Sequence, residues 1–171
     1  TGEIVHKVLW PDRTGYEDYN WTSRNLMGVG YLDGKRPHLL VQRGTYSLIK
    51  VDAYDPQLNL VWRWKSTDEK EKYSGSGTHG LHCADVTGDG RDEIILGSAV
   101  LGHDGRGLWT NPMHHKLMSH PDICYVGQID PSTPGLEIFY GFETPQPRDG
   151  ACLVDAPTGK LLWSYDGPTY H

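Results

Sequence analysis

The stretch Asp85-Val86-Thr87-Gly88-Asp89-Gly90-Arg91-Asp92-Glu93 is followed at once by the apolar run Ile94-Ile95-Leu96-Gly97. Side-chain oxygens recur at alternate positions, and the glycines between them let the chain curl around one point. Calcium takes about six to eight oxygen ligands, and this spacing supplies most of them from one short loop. Because the loop leads into a run of strand length rather than into an amphipathic helix, it predicts a calcium loop in a β protein.

The predicted ligands of this calcium loop are Asp85, Thr87, Asp89, the backbone carbonyl of Arg91, and Glu93. Thr87 stands where Asp or Asn is usual, and a hydroxyl is a weaker ligand than a carboxylate, so a reduced affinity is expected. Asp92 is expected to face solvent. The alternative is an acidic hairpin turn that binds no ion, but oxygen spacing, glycine placement and the following strand together favour calcium.

The chain repeats this arrangement of an acidic turn, an apolar strand and a glycine at residues 31–44, 85–97 and 129–141. A second unit alternates with it: in residues 50–64 and 153–163 a strand ends in Asp-Ala and, after a turn, a second strand ends in Trp. A period of about 40 to 55 residues built from short strands is typical of β-propeller blades. The repeats predict an all-β chain of about three blades.

The amino-acid composition supports an all-β fold and argues against some classes of binding partner. The chain has 21 Gly and 11 Pro, which are poor in helix interiors, and no long stretch with apolar residues at helical spacing. A net charge of −6 without a basic block argues against binding to nucleic acid or to an anionic membrane. No apolar run reaches transmembrane length. Because known propellers have at least about four blades, residues 1–171 are predicted to be a fragment of a single β-propeller domain.

The three cysteines, Cys83, Cys124 and Cys152, make an odd count and form no CxxC pair. Isolated buried thiols are therefore favoured over a disulfide framework. The cysteines do not fix the compartment, but calcium is plentiful outside the cytoplasm. The expected location is secreted, at the cell surface or in the periplasm.

Histidine is the second signal, with nine in the chain. His79 precedes the calcium loop, and His120-Pro121-Asp122 puts an imidazole and a carboxylate within reach of one ion. Histidine normally suggests zinc or another borderline metal, yet no His-x-x-x-His helix or thiolate partner accompanies it. From the residues alone, strand-end histidines are favoured over a shared metal site. His114 and His115 are expected in an exposed loop.

Arg43 lies at a predicted strand end beside Gly44. It is the one candidate for substrate binding, through an anionic group. A structural salt bridge to a neighbouring blade is an equally good interpretation of the same position. The sequence contains no nucleophile elbow, phosphate loop or dinucleotide motif, so no catalytic residue is assigned.

A resemblance to a known family is carried, in this order, by residues 28–37, 43–46, 75–79, 84–97, 104–108, 120–122, 126–131 and 134–137, and then by Glu143. They resemble the rhamnogalacturonan lyases of polysaccharide lyase family 11, over most of the chain. The resemblance implies an eight-bladed β-propeller that binds several calcium ions and is secreted by bacteria that degrade plant cell walls. It also implies β-elimination in the rhamnose–galacturonate backbone of pectin, an acidic plant cell-wall polysaccharide.

The resemblance implies that His79, His120, Asp122 and Glu143 surround a calcium ion near the active-site cleft, separate from the structural calcium loop. The chain departs from the family at Ser119-His120-Pro121-Asp122, where Gly-His-Gly-Asp is usual, and between Asn111 and Ser119, where the family has a short glycine-rich link. The family's substrate-binding arginine, and later its lysine and tyrosine, would follow residue 171. The piece alone is therefore expected to be inactive.

Two other functions compete with the lyase. A non-catalytic calcium-binding propeller, used for carbohydrate binding or adhesion, fits the loop equally well but has no need of His79 with His120-Pro121-Asp122. A quinone-cofactor dehydrogenase propeller is suggested by Thr158-Gly159-Lys160-Leu161-Leu162-Trp163. Those dehydrogenases lack an acidic calcium loop in their blades, so this function ranks third.

Overall fold

The computed structural model describes residues 2–16 and 24–170, and it folds them into three four-stranded antiparallel sheets. Each sheet is a meander in which consecutive strands pair. The first sheet has β1 Asn25–Gly30, β2 His38–Arg43, β3 Lys50–Tyr54 and β4 Leu60–Lys65; the second has β5 His82–Ala84, β6 Glu93–Ile95, β7 Ala99–Leu101 and β8 Gly107–Thr110; the third has β9 Pro121–Gly127, β10 Glu137–Phe142, β11 Ala151–Asp155 and β12 Leu161–Ser164. The predicted all-β class is confirmed.

Helix is confined, within the described residues, to a 3₁₀ turn at Ser66–Glu69, a single turn α1 at Lys70–Tyr73, and α2 at Pro112–Leu117. Helix α2 begins where the Asn111 side chain accepts a hydrogen bond from the Met113 amide at 2.9 Å, with proline in the first turn. The expectation of an exposed loop for His114 and His115 is therefore wrong, since both lie on α2 and His114 is buried. None of these helices is long or apolar enough to cross a membrane.

The second sheet is buried on both faces, which explains its near-continuous apolar strands. Neighbouring residues point in opposite directions: Ile94 and Leu101 join a core shared with the first sheet, whereas Ile95 and Val100 join a core shared with the third. All four side chains are fully buried. The three sheets are therefore stacked face to face through two apolar layers.

A contact between tryptophan and glycine recurs between neighbouring sheets. Trp62, Trp109 and Trp163 hold the same register position beside an irregularity in the pairing of the third and fourth strands. Gly105, in the second sheet's last turn, has a positive φ and lies so close to Trp62 that an added Cβ would sit 2.6 Å from its ring. Gly159, in the third sheet, meets Trp109 in the same way, also at 2.6 Å. Each turn therefore packs on the tryptophan of the preceding sheet.

The outer faces of the stack carry exposed apolar side chains. Met27 and Val29 project from β1, and Ile123 and Tyr125 project from β9. Trp163 is 49% exposed, whereas its equivalent Trp109 is 9% exposed beneath Gly159. The third sheet thus presents an apolar face with an uncovered tryptophan.

The cysteines are free, as expected. Cys124 and Cys152 are buried and Cys83 is half-buried. Burial raises the pKa of the Cys83 and Cys124 thiols to about 12. These thiols are therefore structural and unreactive at neutral pH.

Candidate metal centres

Four side chains from the second and third sheets meet at one end of the stack. His79 lies in the segment that enters β5, His120 immediately precedes β9, Asp122 is on β9, and Glu143 follows β10. The Glu143 amide donates to the His120 carbonyl at 3.1 Å, which holds the last two segments side by side. We call this group the histidine centre.

The ligand atoms of the histidine centre converge. His79 Nε2 lies 3.2 Å from Asp122 Oδ1, and His120 Nε2 lies 3.6 Å from the same oxygen. Glu143 Oε2 lies 3.2 Å from His120 Nε2. The ligand atoms of His79, His120 and Asp122 all lie within 4.8 Å of one another, which is the spacing of groups that share an ion.

The Nε2 atom of His120 is placed to bind a cation. This nitrogen is buried and makes no hydrogen bond within the described part of the chain, although carboxylate oxygens are close by. Burial lowers the pKa of His120, with the neighbouring His79 adding to this effect and Glu143 and Asp122 opposing it. A neutral imidazole is the form that binds a metal. An orphaned buried nitrogen facing two carboxylates therefore fits a cation.

Aromatic contacts fix the two imidazole rings. The His79 and His120 rings meet edge to face with centroids 5.7 Å apart. Tyr46, which follows β2 of the first sheet, packs edge to face on His120 at 5.0 Å and on His79 at 6.3 Å. All three sheets thus contribute to the orientation of the histidine centre.

The structure brings together all four residues that the family resemblance grouped. Their positions, 79, 120, 122 and 143, are too far apart in sequence for spacing to indicate a shared site. Two of the three segments they occupy become neighbours only through pairing of β9 with β10, and His79 joins through packing of the second sheet on the third. The arrangement is a property of the assembled sheets rather than of any local motif.

The predicted calcium loop is organised by Asp85. Its Oδ1 accepts hydrogen bonds from the amides of Gly88 and Asp89 at 2.7 and 3.0 Å, and its Oδ2 accepts one from Gly90 at 2.9 Å. Gly88 and Gly90 both adopt positive φ, which closes the curl. Asp85 thus uses both carboxylate oxygens to shape the loop, while Asp89 Oδ1 accepts the Arg91 amide at 2.9 Å.

Glu93 is the buried end of the loop, with 1% of its surface exposed. Its Oε2 accepts the amides of Val86 and Thr87 at 3.2 and 3.1 Å. Burial raises the pKa of Glu93, and its hydrogen bonds with Thr87 oppose that rise. A buried carboxylate with one oxygen committed to amides keeps the other for a cation.

His103, from the turn between β7 and β8, completes this group and was not among the predicted ligands. Its Nδ1 lies 3.6 Å from Glu93 Oε1 and 3.9 Å from Asp89 Oδ2. Its Nε2 accepts a hydrogen bond from Arg91 Nη1 at 2.8 Å, so the Arg91 side chain also contacts this group. The sequence signal for His103 was the motif Gly102-His103-Asp104-Gly105, but only the pairing of β6 with β7 aligns it with the loop.

Asp92, which was expected to face solvent, is half-buried and hydrogen-bonded. Its Oδ2 accepts the Tyr31 amide at 2.7 Å, and its own amide donates to the Tyr31 carbonyl at 3.2 Å. Asp92 therefore ties the loop to the equivalent turn of the first sheet. At the same junction an added Cβ on Gly34 would lie 2.4 Å from the Gly90 carbonyl, so the close approach requires glycine.

Arg43, the candidate for substrate binding, is engaged by the N-terminal segment. Its Nε donates to the Pro11 carbonyl at 2.5 Å, and its own carbonyl accepts the Tyr16 hydroxyl at 2.6 Å. A role in anchoring residues 11–16 along the first sheet is the one these contacts support.

Comparison with known proteins identifies relatives of the whole stack. Residues 6–169 match the family model described as rhamnogalacturonan lyase family 11, C-terminal domain. The rhamnogalacturonan endolyase YesW of Bacillus subtilis (strain 168) is 40% identical over 170 residues, covering 94% of this chain. The rhamnogalacturonan exolyase YesX of the same organism is also 40% identical, over 179 residues and 99% of the chain.

Solved structures agree with these matches. The exotype rhamnogalacturonan lyase YesX superposes with a TM-score of 0.77 and 41% identity, covering 85% of this chain and 24% of the solved one. A rhamnogalacturonan lyase from Bacillus licheniformis gives a TM-score of 0.77 and 39% identity, covering 86% of this chain and 25% of the other. The chain spans about a quarter of the length of its curated relatives, 27% of YesW and 28% of YesX.

Proposed function

The chain belongs to rhamnogalacturonan lyase family 11, and from this premise we propose that it is part of a calcium-dependent lyase of the rhamnogalacturonan backbone. The reaction is β-elimination at a galacturonate residue. Endolytic and exolytic relatives match equally well, at 40% identity each, so the proposal covers the reaction and not the position of the cut.

The observation that carries the proposal is the convergence of His79, His120, Asp122 and Glu143 around the buried Nε2 of His120. Elimination removes a weakly acidic proton from the carbon next to a carboxylate. A divalent ion, when bound here, stabilises the negative charge that develops on that carboxylate. It also reverses the local field of a protein with net charge −6, which would otherwise repel an acidic polymer.

The chain's own residues have separate tasks in this proposal. His79 and His120 supply nitrogen donors whose rings are fixed by Tyr46. Asp122 supplies the oxygen that both histidines face. Glu143, with 44% of its side chain exposed, stands at the solvent side and can yield a coordination position to a uronate. No residue that the structure describes is assigned as the base.

The loop from Asp85 to Glu93 is proposed as a second calcium site with a structural role. Asp89 and Glu93 carry the charge, Asp85 shapes the loop, and His103 closes one side. Oxygen donors predominate here, which suits calcium. The mixed nitrogen and oxygen donors of the histidine centre also suit zinc or manganese, and calcium is preferred there because of the family membership.

We propose further that the three sheets are three blades of a larger β-propeller in a secreted or surface-exposed enzyme. The support is the tryptophan and glycine contact that joins each sheet to the next. Trp163 is exposed where Trp62 and Trp109 are packed, so a fourth sheet with a glycine turn would bury it. The apolar outer faces would be buried by the same continuation.

The test uses the complete gene product that carries this sequence. Rhamnogalacturonan is added, and the unsaturated uronate product is followed by its absorbance with calcium, with a chelator, and after calcium is restored. Bound metals are measured by mass spectrometry in the wild type, in His120→Ala and in the control His6→Ala, whose histidine is exposed and is not one of the four residues of the centre. His120→Ala is expected to lose activity and one metal ion.

Three outcomes would revise the proposal. An intact enzyme that yields no unsaturated product would remove the lyase and leave the non-catalytic calcium-binding propeller. Unchanged activity in chelator would remove calcium from the mechanism. A zinc or manganese ion that survives purification and restores activity better than calcium would replace calcium at the histidine centre.

A further inference from the structure

The buried side chain of His114, on helix α2, contacts two segments that lead to the histidine centre. Its Nδ1 atom lies 3.2 Å from the Ser119 carbonyl oxygen, and its Nε2 atom lies 3.1 Å from the Ser74 carbonyl oxygen. Ser119 immediately precedes His120, and Ser74 belongs to the segment that leads through His79 into β5. The ring therefore spans the two stretches of chain that carry the two imidazoles of the centre.

We propose that His114 is a positioning residue for the proposed metal centre, because its ring sets the distance between the segments that carry His79 and His120. This inference rests on the proposed function, since it concerns the ion that the histidine centre would hold. It goes beyond that function by assigning a task to a residue outside the four of the centre. His114 acts on those ligands through the backbone carbonyls on either side of its ring.

The chemistry of an imidazole suits this task. Burial lowers the pKa of His114, and its contacts with the Ser74 and Ser119 carbonyls oppose that change. The neutral ring carries one N–H, so it donates to one carbonyl at a time. Because the ring is planar and rigid, both tautomers keep the same separation between the two carbonyls. A flexible side chain of similar size would not fix that distance.

The N-terminal end of α2 is anchored to the segment that contains Ser74. The Ser76 carbonyl accepts the Ser98 amide at 2.7 Å, and the Ser98 carbonyl accepts the Asn111 amide at 2.9 Å. Asn111 is fully buried, and its side chain caps the helix. These backbone hydrogen bonds connect the segment before β5 to the start of α2, so they hold His114 in place against the Ser74 carbonyl.

Ser119 connects the His114 ring to two ligands of the centre. Its hydroxyl accepts the Thr144 amide at 3.3 Å, and the Glu143 amide donates to the His120 carbonyl at 3.1 Å. Because Ser119 precedes His120 and Thr144 follows Glu143, a shift of Ser119 would move both ligands. Groups that orient metal ligands in this way typically change metal affinity by about 10- to 100-fold when they are removed.

The experiment titrates the metal-free complete gene product with Mn²⁺ and measures bound Mn²⁺ by electron paramagnetic resonance. The ion that is lost in His120→Ala is the one that belongs to the histidine centre. His114→Asn keeps a donor near the position of Nδ1, and His114→Gln keeps one near the position of Nε2, so each variant retains one of the two carbonyl contacts. We expect each to weaken Mn²⁺ binding at the histidine centre by about tenfold.

Two control variants lie on the same helix. His115→Ala removes an exposed histidine, and Lys116→Ala removes the contact with Asp149 Oδ2 at 2.7 Å that ties α2 to the third sheet. Lys116→Ala should lower the free energy of unfolding in urea without weakening Mn²⁺ binding, because the ion pair does not reach the ligand segments. This difference separates the positioning of ligands from general support of the helix.

A measurement on the wild type alone gives a second readout. Coupling between two sites is reciprocal, so an ion that is held better because α2 is in place must also stabilise α2. The His114 amide donates to the Asn111 carbonyl at 3.0 Å. Bound Mn²⁺ should therefore slow hydrogen exchange at this amide in the wild type, and should leave it unchanged in His120→Ala.

The outcomes separate this inference from the proposed function. Wild-type affinity for Mn²⁺ in both His114 variants would overturn only the positioning role, and so would hydrogen exchange that does not respond to the ion. Equal weakening in Lys116→Ala would also overturn it, because loosening of the whole helix would then explain the effect. If the wild type and His120→Ala bind the same amount of Mn²⁺, the metal centre itself is refuted, and both proposals are overturned with it.

Discussion

The turns at residues 85–93 and 129–137 share one backbone arrangement, but different side chains fill the middle of each turn. Each leads into a strand whose first residue is a buried glutamate, Glu93 in one and Glu137 in the other. Glu93 Oε2 accepts two turn amides at 3.2 and 3.1 Å, and Glu137 Oε2 accepts two at 2.7 and 3.0 Å. The backbone frame is therefore shared.

The difference lies in what occupies the middle of each turn. In the later turn, the Gln128 amide donates from Nε2 to the carbonyls of Asp130 and Thr133, both at 2.9 Å. Asp130 is also satisfied by the Ser132 and Thr133 hydroxyls. In the earlier turn, Asp89 and Glu93 face His103 and no comparable amide is present among the described residues. The later turn therefore contains a side-chain donor that binds its carbonyls, whereas the earlier turn brings two carboxylates together.

The first sheet offers a third solution. There Asp33 accepts the amides of Lys35 and Arg36, and the Arg36 guanidinium pairs with its second oxygen at 2.8 Å. His38 stands at the strand position that glutamate holds in the other two sheets. The comparison shows that the turns of the first and third sheets are closed by their own hydrogen bonds, and we expect the local count of donors and carboxylates to decide whether a cation binds.

The largest expected effect comes from removing the shared glutamate. Glu93→Ala and Glu137→Ala each leave two turn amides without their acceptor, so each should lower the free energy of unfolding by about 3 kcal/mol. Urea unfolding with and without calcium measures both. Only Glu93→Ala should also abolish the response to calcium. Loss of that response in Glu137→Ala would mean that the two turns do not differ as described.

The second largest expected effect is stabilisation by calcium, which should depend on the earlier turn and not on the later one. Wild-type protein in calcium at about a hundred times Kd should gain about 2.7 kcal/mol of stability. Asp89→Ala should lose that gain, because Asp89 is one of the two carboxylates that converge with His103 at the loop. Asp130→Ala is the matched control and should keep it. Thermal melts in calcium and in chelator measure the calcium-dependent shift in Tm of the wild type and both variants. Equal melting points of the wild type in the two conditions would contradict the calcium site.

A conversion experiment tests whether donor count is what distinguishes the turns. Gln128→Glu removes two hydrogen bonds and adds a carboxylate beside the Asp130 and Thr133 carbonyls, so stability in chelator should fall by about 1 to 2 kcal/mol. Calcium should restore part of it, since carboxylate and carbonyl oxygens are its ligands. Gln128→Met is the control that removes the bonds without adding charge. Equal calcium responses of the two variants would oppose this account.

The smallest effect concerns Thr87. Thr87→Asp places a carboxylate where this loop has a hydroxyl, and calcium affinity should rise by about fivefold, or about 1 kcal/mol. Without calcium the same variant should be less stable than the wild type, because a further carboxylate approaches Asp89 and Glu93. Calorimetric titration measures the affinity. A weaker binding constant would show that Thr87 does not face the ion.

The two candidate metal sites also differ in how far the sequence predicts them. The calcium loop can be proposed from the sequence because its predicted ligands lie within nine consecutive residues, whose spacing is a local property. His103 was missed because the hairpin of β6 and β7 brings it there. Asp92 was misassigned for a similar reason, since its partner Tyr31 belongs to another sheet.

The histidine centre could be proposed only through the family resemblance. Its residues are brought together by sheet packing and strand pairing, which sequence spacing does not reveal. Helix α2 is a different case. Its start signal, Asn111 followed by Pro112, was present in the sequence, but a six-residue helix in a chain rich in strands is too short for periodicity to reveal. The repeats that predicted the sheets were the strongest signal, since each sheet was specified by its own residues.

The tryptophan and glycine contact constrains how these sheets can evolve. Five residues connect the third and fourth strands in every sheet, at 55–59, 102–106 and 156–160. The fourth residue of each connection, Leu58, Gly105 and Gly159, has a positive φ. Surface turns ordinarily tolerate insertions and deletions. A change of length here would disrupt the contact between the turn and the tryptophan ring of the neighbouring sheet, as at Trp62 and Trp109. We therefore expect these turns to keep their length, and to keep glycine where it meets a tryptophan ring, while their other positions vary.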